Sequence, residues 1–172
     1  MTSSSRGSAV TAGSKEIGRQ FRAAMRRLAS TVSVVTTRCG ENNFGMTAST
    51  VTSVSMHPPA LLVCVNKSAA FHRAITSSDT FCVNILSARH NEVSTAFSGG
   101  HALEERFNVG NWLFDGEIPY LRDAQANIFC GRANLFEHGT HSIIVGEVYQ
   151  LMLNGTVSPL IYVDGRYAAV GE

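Results

Sequence analysis

Hydrophobic positions recur with helical spacing near the start of the chain. After Ser14, four apolar residues follow one another at intervals of four, four and three positions, so they share one helical face while the arginines take the other. The four apolar residues are Ile17, Phe21, Met25 and Leu28. This pattern predicts an amphipathic helix over residues 15–30. The preceding residues 1–14, rich in Ser, Thr, Gly and Ala, are predicted to form a flexible tail.

From Thr31 onward the chain changes to short runs rich in β-branched and aromatic residues, separated by turn-forming residues. Strands are predicted over residues 31–38, 44–55, 60–65, 80–86, 126–137, 141–153 and 159–163. Short helices are predicted over 68–76 and 88–97. The irregular, Gly-rich stretch 98–119 is long enough to predict a lid or an interface segment. Because the strands do not alternate with long helices, residues 15–172 are predicted to form a single mainly β domain, a closed β-barrel with short flanking helices.

Composition adds a constraint on the surface. Of the 172 residues, 44% are hydrophobic and only 16% are charged, so part of the surface is expected to contact a partner subunit or a ligand. The net charge of +1 argues against a nucleic-acid partner. Residues 1–38 carry seven basic residues and one acidic residue. We interpret this asymmetry as a solvated basic helix face rather than an RNA-binding or membrane-binding surface.

Cysteine spacing and hydropathy predict a reduced, cytoplasmic protein. None of the four cysteines forms a C-x-x-C pair, and three of them lie in apolar runs where a free thiol packs as a small hydrophobe. No apolar stretch approaches the roughly 18 residues of a membrane span, and no secretory signal is recognisable. His138 and His141 lie three apart in a strand-turn context, where they do not share a helical face. We therefore predict no metal site.

Two segments suggest a ligand site. Residues 45–55 carry six hydroxyl groups, which would let a flat ligand approach closely, although for this segment alone an ordinary edge strand with a Ser/Thr face is the favoured explanation. Lys67, one of only two lysines, precedes Ser68 at the start of a predicted helix. A cation beside a helix N-terminus suits a phosphate, and the alternative is a solvated lysine beside a Ser N-cap. Together the segments suggest a phosphorylated flat cofactor. The dinucleotide-binding G-x-G-x-x-G, the P-loop and the G-x-S-x-G elbow are all absent from the sequence.

Ordered motifs along residues 18–168 resemble those of the short-chain flavin reductases, the small components of two-component flavin-dependent monooxygenases. The matching stretches are FRAAMRRLASTVSVVTT, GMTASTVTSVSMHPPALLVCVNKSAAF, FCVNIL, the Phe97-Ser98-Gly99 and Arg106-Phe107 pair, GTHSIIVGEV and PLIYVDGRY. The resemblance implies an FMN-binding split β-barrel of Greek-key type that forms a homodimer. It also implies hydride transfer from NADH, or NADPH, to FMN or FAD, with the reduced flavin passing to a separate monooxygenase.

The same resemblance implies the site residues. The first flavin segment falls on Thr47, Ala48, Ser49, Thr50 and Ser55. The second falls on Cys64, Val65, Asn66, Lys67, Ser68 and Ala69, with Phe71 packing behind it. Arg106 and Phe107 match a pair at the flavin and the dimer interface, and His141, Tyr162 and Arg166 match the nicotinamide-docking region. One position departs from the family, because Thr140 stands where Asp is frequent.

Other interpretations remain open at this point. One is a pyridoxamine-phosphate-oxidase-like enzyme with tightly held FMN, which would be expected to have a more basic phosphate site. Another is a non-catalytic flavin- or haem-binding barrel that acts as carrier or sensor, with His138 and His141 as haem ligands. A third is an RNA-contacting module that uses the N-terminal helix. The sequence does not distinguish FMN from FAD, or NADH from NADPH.

Overall fold

The N-terminal helix is displaced from its predicted position. The structure, a computed structural model, describes residues 5–114 and 118–168. Helix α1 spans Ser5–Met25, so it ends earlier than predicted and begins inside the predicted tail, of which residues 1–4 lie outside the described residues. Extending a nucleated helix adds one hydrogen bond for each residue fixed, which favours the earlier start. Ile17 and Phe21 are each 65% exposed, so the apolar face of α1 does not pack on its own chain.

One antiparallel sheet of seven strands forms the body of the protein. Its strands, in the order in which they are hydrogen-bonded, are β3 (Asn42–Ala48), β2 (Ser33–Cys39), β6 (Thr80–Ile85), β9 (Ala126–His138), β10 (His141–Leu153), β5 (Pro59–Asn66) and β4 (Val51–Met56). Three short strands form a second sheet, in the order β1 (Ser30–Thr31), β11 (Ile161–Val163) and β12 (Arg166–Ala168). The pair β7 (Trp112–Leu113) and β8 (Tyr120–Leu121) was not predicted.

The prediction of one strand over residues 44–55 is wrong. That segment is divided between β3 and β4, which lie at opposite edges of the seven-stranded sheet. Only Ser49 and Thr50 connect the two strands. Because two residues span only a few ångströms, the sheet must curl until its two edges meet at this bend. A run of small and β-branched residues predicts extended backbone but does not reveal a change of sheet edge.

Short helices cover the ends of the curled sheet. Helix α2 spans Ala70–Ser77, and α3 spans Asn91–Thr95 and continues into a π-helical turn over Ala96–Gly100. Within the predicted irregular stretch 98–119, a 3-10 turn covers Arg106–Asn108, and residues 115–117 lie outside the described residues.

Two apolar clusters form the core. The first fills the curled sheet and includes Val35, Val63, Val65, Phe71, Ile75, Phe81, Val83 and Ile144. The second lies beneath α3 and the π-helical turn and includes Val34, Leu86, Phe97, Trp112, Leu121 and Leu160. Each large side chain of this kind contributes about 1.5–3 kcal/mol on burial.

All four cysteines are free thiols in the structure. Burial raises the pKa of the Cys130 thiol to about 12 and also raises that of Cys82, so both thiols stay protonated. Among the helices of residues 5–114 and 118–168, none is long and apolar enough to cross a membrane.

Candidate functional site

The bend between β3 and β4 presents hydroxyl groups to solvent. Ser49 and Thr50 are exposed, whereas the side chain of Ala48 is buried in the core. The Thr50 hydroxyl donates to the carbonyl of Cys64 at 3.3 Å, which attaches the bend to the end of β5. The structure therefore brings the first and second predicted flavin segments together at this corner of the sheet.

Two members of the first segment have local structural partners. The Thr47 hydroxyl donates to the carbonyl of Ser94 at 2.7 Å, which ties β3 to α3. Ser55 accepts a hydrogen bond from the backbone N–H of His57 at 3.1 Å. Since Ser55 lies five residues along β4 from Thr50, it is about 16 Å from the bend. The structure does not bring Ser55 to the site.

The second segment forms an Asx turn before α2. Asn66 Oδ1 accepts hydrogen bonds at 2.9 Å from both the backbone N–H and the hydroxyl of Ser68. The N-cap of α2 is Ala69, without a side-chain bond, so the alternative of a Ser68 N-cap is wrong. The side chains of Val65 and Phe71 are buried in the core, which leaves only the backbone of Val65 available to a ligand.

Lys67 is bound to a carboxylate that sequence reasoning missed. Its Nζ donates to Glu137 Oε2 at 2.8 Å, and its backbone N–H donates to the carbonyl of Thr140 at 2.9 Å. The hydrogen bond and charge of Lys67 lower the pKa of the exposed Glu137 carboxyl. The E-H-G-T-H run contained a usable signal. A two-residue turn at Gly139, whose φ is +54°, fixes the β9–β10 register that brings Glu137 to this side.

His141 opens β10 at the same corner. It is exposed, pairs with Asn66 of β5 and with His138 of β9, and its Nδ1 lies 2.9 Å from the Thr140 hydroxyl. Thr140 thus provides a neutral partner for the imidazole ring. Within the described residues, no group of three or more His, Cys, Asp or Glu side chains is placed to hold a metal ion, and this includes His138 and His141.

A cavity of about 560 Å³ opens beside the bend. It is lined by Ser49 and Thr50 on one side and by Tyr162 and the C-terminal end of α1 on the other, including Arg22 and Arg26. Asp164 holds Arg26 through its carboxylate at 3.3 Å and its carbonyl at 3.1 Å. The predicted Arg166 lies on β12 and is not among the residues that line this cavity.

Arg106 and Phe107 lie along β3 and away from Lys67. An Arg106 N–H donates to the carbonyl of Gly45 at 3.4 Å, three residues, or about 10 Å, before Ala48. Phe107 packs edge-on against Phe97 with ring centroids 5.0 Å apart. A side chain at Gly45 would collide with Phe97, so glycine is required for this close approach. The structure places this pair beside β3, separate from the Lys67 corner.

The family follows from a match to a model of known protein families. The model for the flavin reductase like domain matches residues 25–171. The chain belongs to the flavin reductase family. This membership confirms the predicted family. Together with the named relatives it supports the predicted enzyme class, an NAD(P)H-dependent flavin reductase, and the flavin and nicotinamide cofactors.

Named relatives agree with this assignment. The reductase component of the FADH(2)-dependent resorcinol hydroxylase of Rhizobium sp. (strain MTP-10005) is 40% identical over 157 residues, covering 89% of this chain and 87% of its own length. The FMN reductase (NADH) RutF of Variovorax paradoxus (strain S110) is 38% identical over 148 residues, covering 86% and 82%.

A solved structure supports the fold. The NADH:FAD oxidoreductase SgcE6 of Streptomyces globisporus, solved with NAD and FAD fragments, superimposes with a TM-score of 0.82 at 30% identity. The match covers 88% of this chain and 92% of that one. The match to solved flavin reductase structures confirms the predicted mainly β fold, whose main sheet is the curled seven-stranded sheet.

The residues at the corner fit a flavin mononucleotide moiety. Ser49 and Thr50 provide exposed neutral hydroxyl groups, and the backbone of the bend approaches the end of β5. Lys67 and Ser68 lie exposed at the start of α2, where a phosphate is favoured by the helix dipole and by a cation. Neutral donors and one lysine are a chemically suitable set for a flat ring system that carries a single phosphate.

Proposed function

We propose that this chain transfers hydride from NADH, or NADPH, to FMN or FAD at the corner where the β3–β4 bend meets the end of β5. The observation that carries the proposal is the convergence of three features. Exposed hydroxyls in the β3–β4 bend at Ser49 and Thr50, a cation after β5 at Lys67 and an imidazole on β10 at His141 come from separate segments, which are joined by hydrogen bonds or strand pairing.

In this proposal most of the predicted site residues contact either the flavin or the nicotinamide. The flavin ring and ribityl chain lie against Thr47, Ala48, Ser49 and Thr50 and against the backbone of 64–66, with the phosphate at Lys67, Ser68 and Ala69. The flavin supplies the hydride acceptor. The protein holds the two rings in contact, and alignment of this kind accounts for much of the acceleration in such reactions. Backbone N–H groups at the bend stabilise the negative charge that reduction adds.

In the proposal His141 orients the nicotinamide from the start of β10, while Tyr162 contributes from the wall of the cavity, which His141 itself does not line. Hydride transfer removes no proton from the nicotinamide, so the imidazole has no obligatory role as a base. The Thr140 hydroxyl, 2.9 Å from His141 Nδ1, holds the ring in one orientation. Arg22 and Arg26 both line the cavity, and because Asp164 is paired with Arg26, Arg22 is the cation that favours an anionic dinucleotide there.

The proposal also covers the acceptor of the reduced flavin, the oligomeric state and the cellular location. Reduced flavin passes to a separate monooxygenase component, as the name of the Rhizobium relative indicates for that protein. The chain forms a homodimer, which is supported by the exposed apolar face of α1 and by exposed apolar residues at the far end of β10. Arg106 and Phe107 lie near that interface in the proposed dimer. The protein works in the cytoplasm, where its four thiols stay reduced.

A steady-state assay tests the proposal. Oxidation of NADH or NADPH is followed without flavin and then with FMN, FAD or riboflavin. The proposal predicts strong acceleration by at least one flavin with one of the two nicotinamides. If no flavin accelerates oxidation of either nicotinamide, the proposed reaction is wrong. An absorption spectrum of the purified protein separates a flavin-binding from a haem-binding barrel.

A further inference from the structure

The lysine at the start of α2 already has an anionic partner in its own chain. Lys67 Nζ donates to Glu137 Oε2 at 2.8 Å, although the two residues are 70 positions apart in sequence. The Lys67 side chain is 34% exposed and that of Glu137 is 64% exposed, so an arriving ligand can reach both. A charge-assisted hydrogen bond of this length is stronger than a neutral one.

The backbone holds both partners in position. In the sheet, Ser142 of β10 pairs with Glu137 of β9 on one side and with Val65 of β5 on the other. These two pairings fix the backbone position of Glu137 relative to the end of β5. The backbone N–H of Lys67 is bonded to the carbonyl of Thr140 in the same hairpin. The pair is therefore part of the fold rather than a chance contact between two long side chains.

A carboxylate and a phosphate offer the same kind of oxygen to an ammonium group. Lys67 has three N–H donors, and one of them is already bonded to Glu137. A phosphate that arrives at the start of α2 must either displace this carboxylate or bind beside its negative charge. Both outcomes weaken the hold on the phosphate.

We propose that Glu137 is a built-in competitor for the flavin phosphate, which weakens flavin binding and speeds the departure of reduced flavin. This inference rests on the proposed function, because it requires a phosphorylated flavin at Lys67. Glu137 acts on the flavin only through Lys67 and through its own charge, so it is a positioning residue. The hydride-transfer step itself is not altered.

The test compares FMN with riboflavin, which lacks the phosphate, in wild-type protein and in Glu137→Gln. The substitution keeps the shape of the side chain and removes its charge. The dissociation constant for FMN should fall about threefold to fivefold, mostly through slower dissociation, while that for riboflavin stays unchanged. Glu147→Gln is the matched control, because Glu147 is an exposed glutamate on β10 away from Lys67, and it should change neither constant. Lys67→Met should weaken FMN alone and reduce the effect of Glu137→Gln.

Other results overturn the inference. If wild-type protein binds both flavins and Glu137→Gln leaves FMN binding unchanged, or tightens riboflavin to the same degree, Glu137 does not compete with the phosphate. If Glu137→Gln weakens riboflavin binding, the variant Glu137→Asp replaces it in the test, because this substitution moves the carboxylate away from Lys67 by one methylene group. Tighter FMN binding by Glu137→Asp would support the inference, and unchanged FMN binding would refute it. If wild-type protein binds none of FMN, FAD and riboflavin, the proposed function fails, whereas flavin binding without the Glu137→Gln effect on FMN refutes only this inference.

Discussion

The two ends of the β9–β10 hairpin carry opposite kinds of side chain. At the turn, His141 and the Lys67–Glu137 pair present charged and polar groups that are joined by hydrogen bonds. At the far end of β10, the apolar side chains of Leu151 and Leu153 are 56% and 81% exposed. Both ends belong to one continuous pair of strands.

The register of the sheet explains the difference. β5 covers β10 only from His141 to Glu147, so among the described strands β10 is paired beyond that point by β9 alone. The covered half has a rigid backbone that positions polar groups for a small ligand. The uncovered half is an open edge with apolar side chains, which suits a large partner surface such as a second copy of the chain.

The largest expected effect comes from charging the apolar end. Leu151→Glu together with Leu153→Glu should convert the proposed homodimer into a monomer, because burying two unpaired carboxylates in an interface is strongly unfavourable. Sedimentation or light scattering measures the mass. Gln150→Glu adds a charge to the opposite face of the same strand and should leave the dimer intact. If the wild-type protein is already monomeric, the interpretation of the apolar end of β10 as a dimer interface is wrong.

A smaller effect is expected at the polar end. His141→Asn should lower kcat/KM for the nicotinamide about tenfold to a hundredfold through misalignment, with no change in flavin affinity or in mass. His138→Asn, on the facing position of β9, is the control and should behave like wild type. Complete loss of turnover with unchanged NADH affinity would contradict an orienting role for His141.

The smallest effect concerns the hydroxyl beside His141. Thr140→Val removes the partner 2.9 Å from His141 Nδ1 and should lower kcat/KM for the nicotinamide about threefold to tenfold. Thr140→Ser keeps the hydroxyl and should restore the wild-type value. Steady-state kinetics with a fixed saturating flavin measures both. Equal losses in the two variants would mean that side-chain shape, and not the hydrogen bond, matters at this position.

Sequence patterns predicted best the strands that turn-forming residues bound. The β-branched and aromatic runs located β5, β6, β9 and β10 to within one or two residues, because strand propensity and turn signals are both local properties of the sequence. The division of 44–55 into two strands was missed, since the bend at Ser49–Thr50 depends on the curl of the whole sheet.

Short motifs and the family resemblance predicted which residues belong to the site, but not how those residues are arranged. Which of them meet depends on register between distant strands. Thr50 contacts Cys64 and His141 pairs with Asn66, whereas Ser55 lies at the far end of β4. Glu137 was missed because the turn signal in E-H-G-T-H gives its contact with Lys67 only when it is combined with two strand pairings between distant segments.

Mapping of backbone amide shifts on addition of FMN tests the central claim most directly. The account predicts that the changes concentrate at residues 47–50, 64–69 and 140–141 and are small at residues 149–153. Changes concentrated at 149–153, with the turn end unaffected, would contradict the assignment of the flavin site to the polar end of the hairpin.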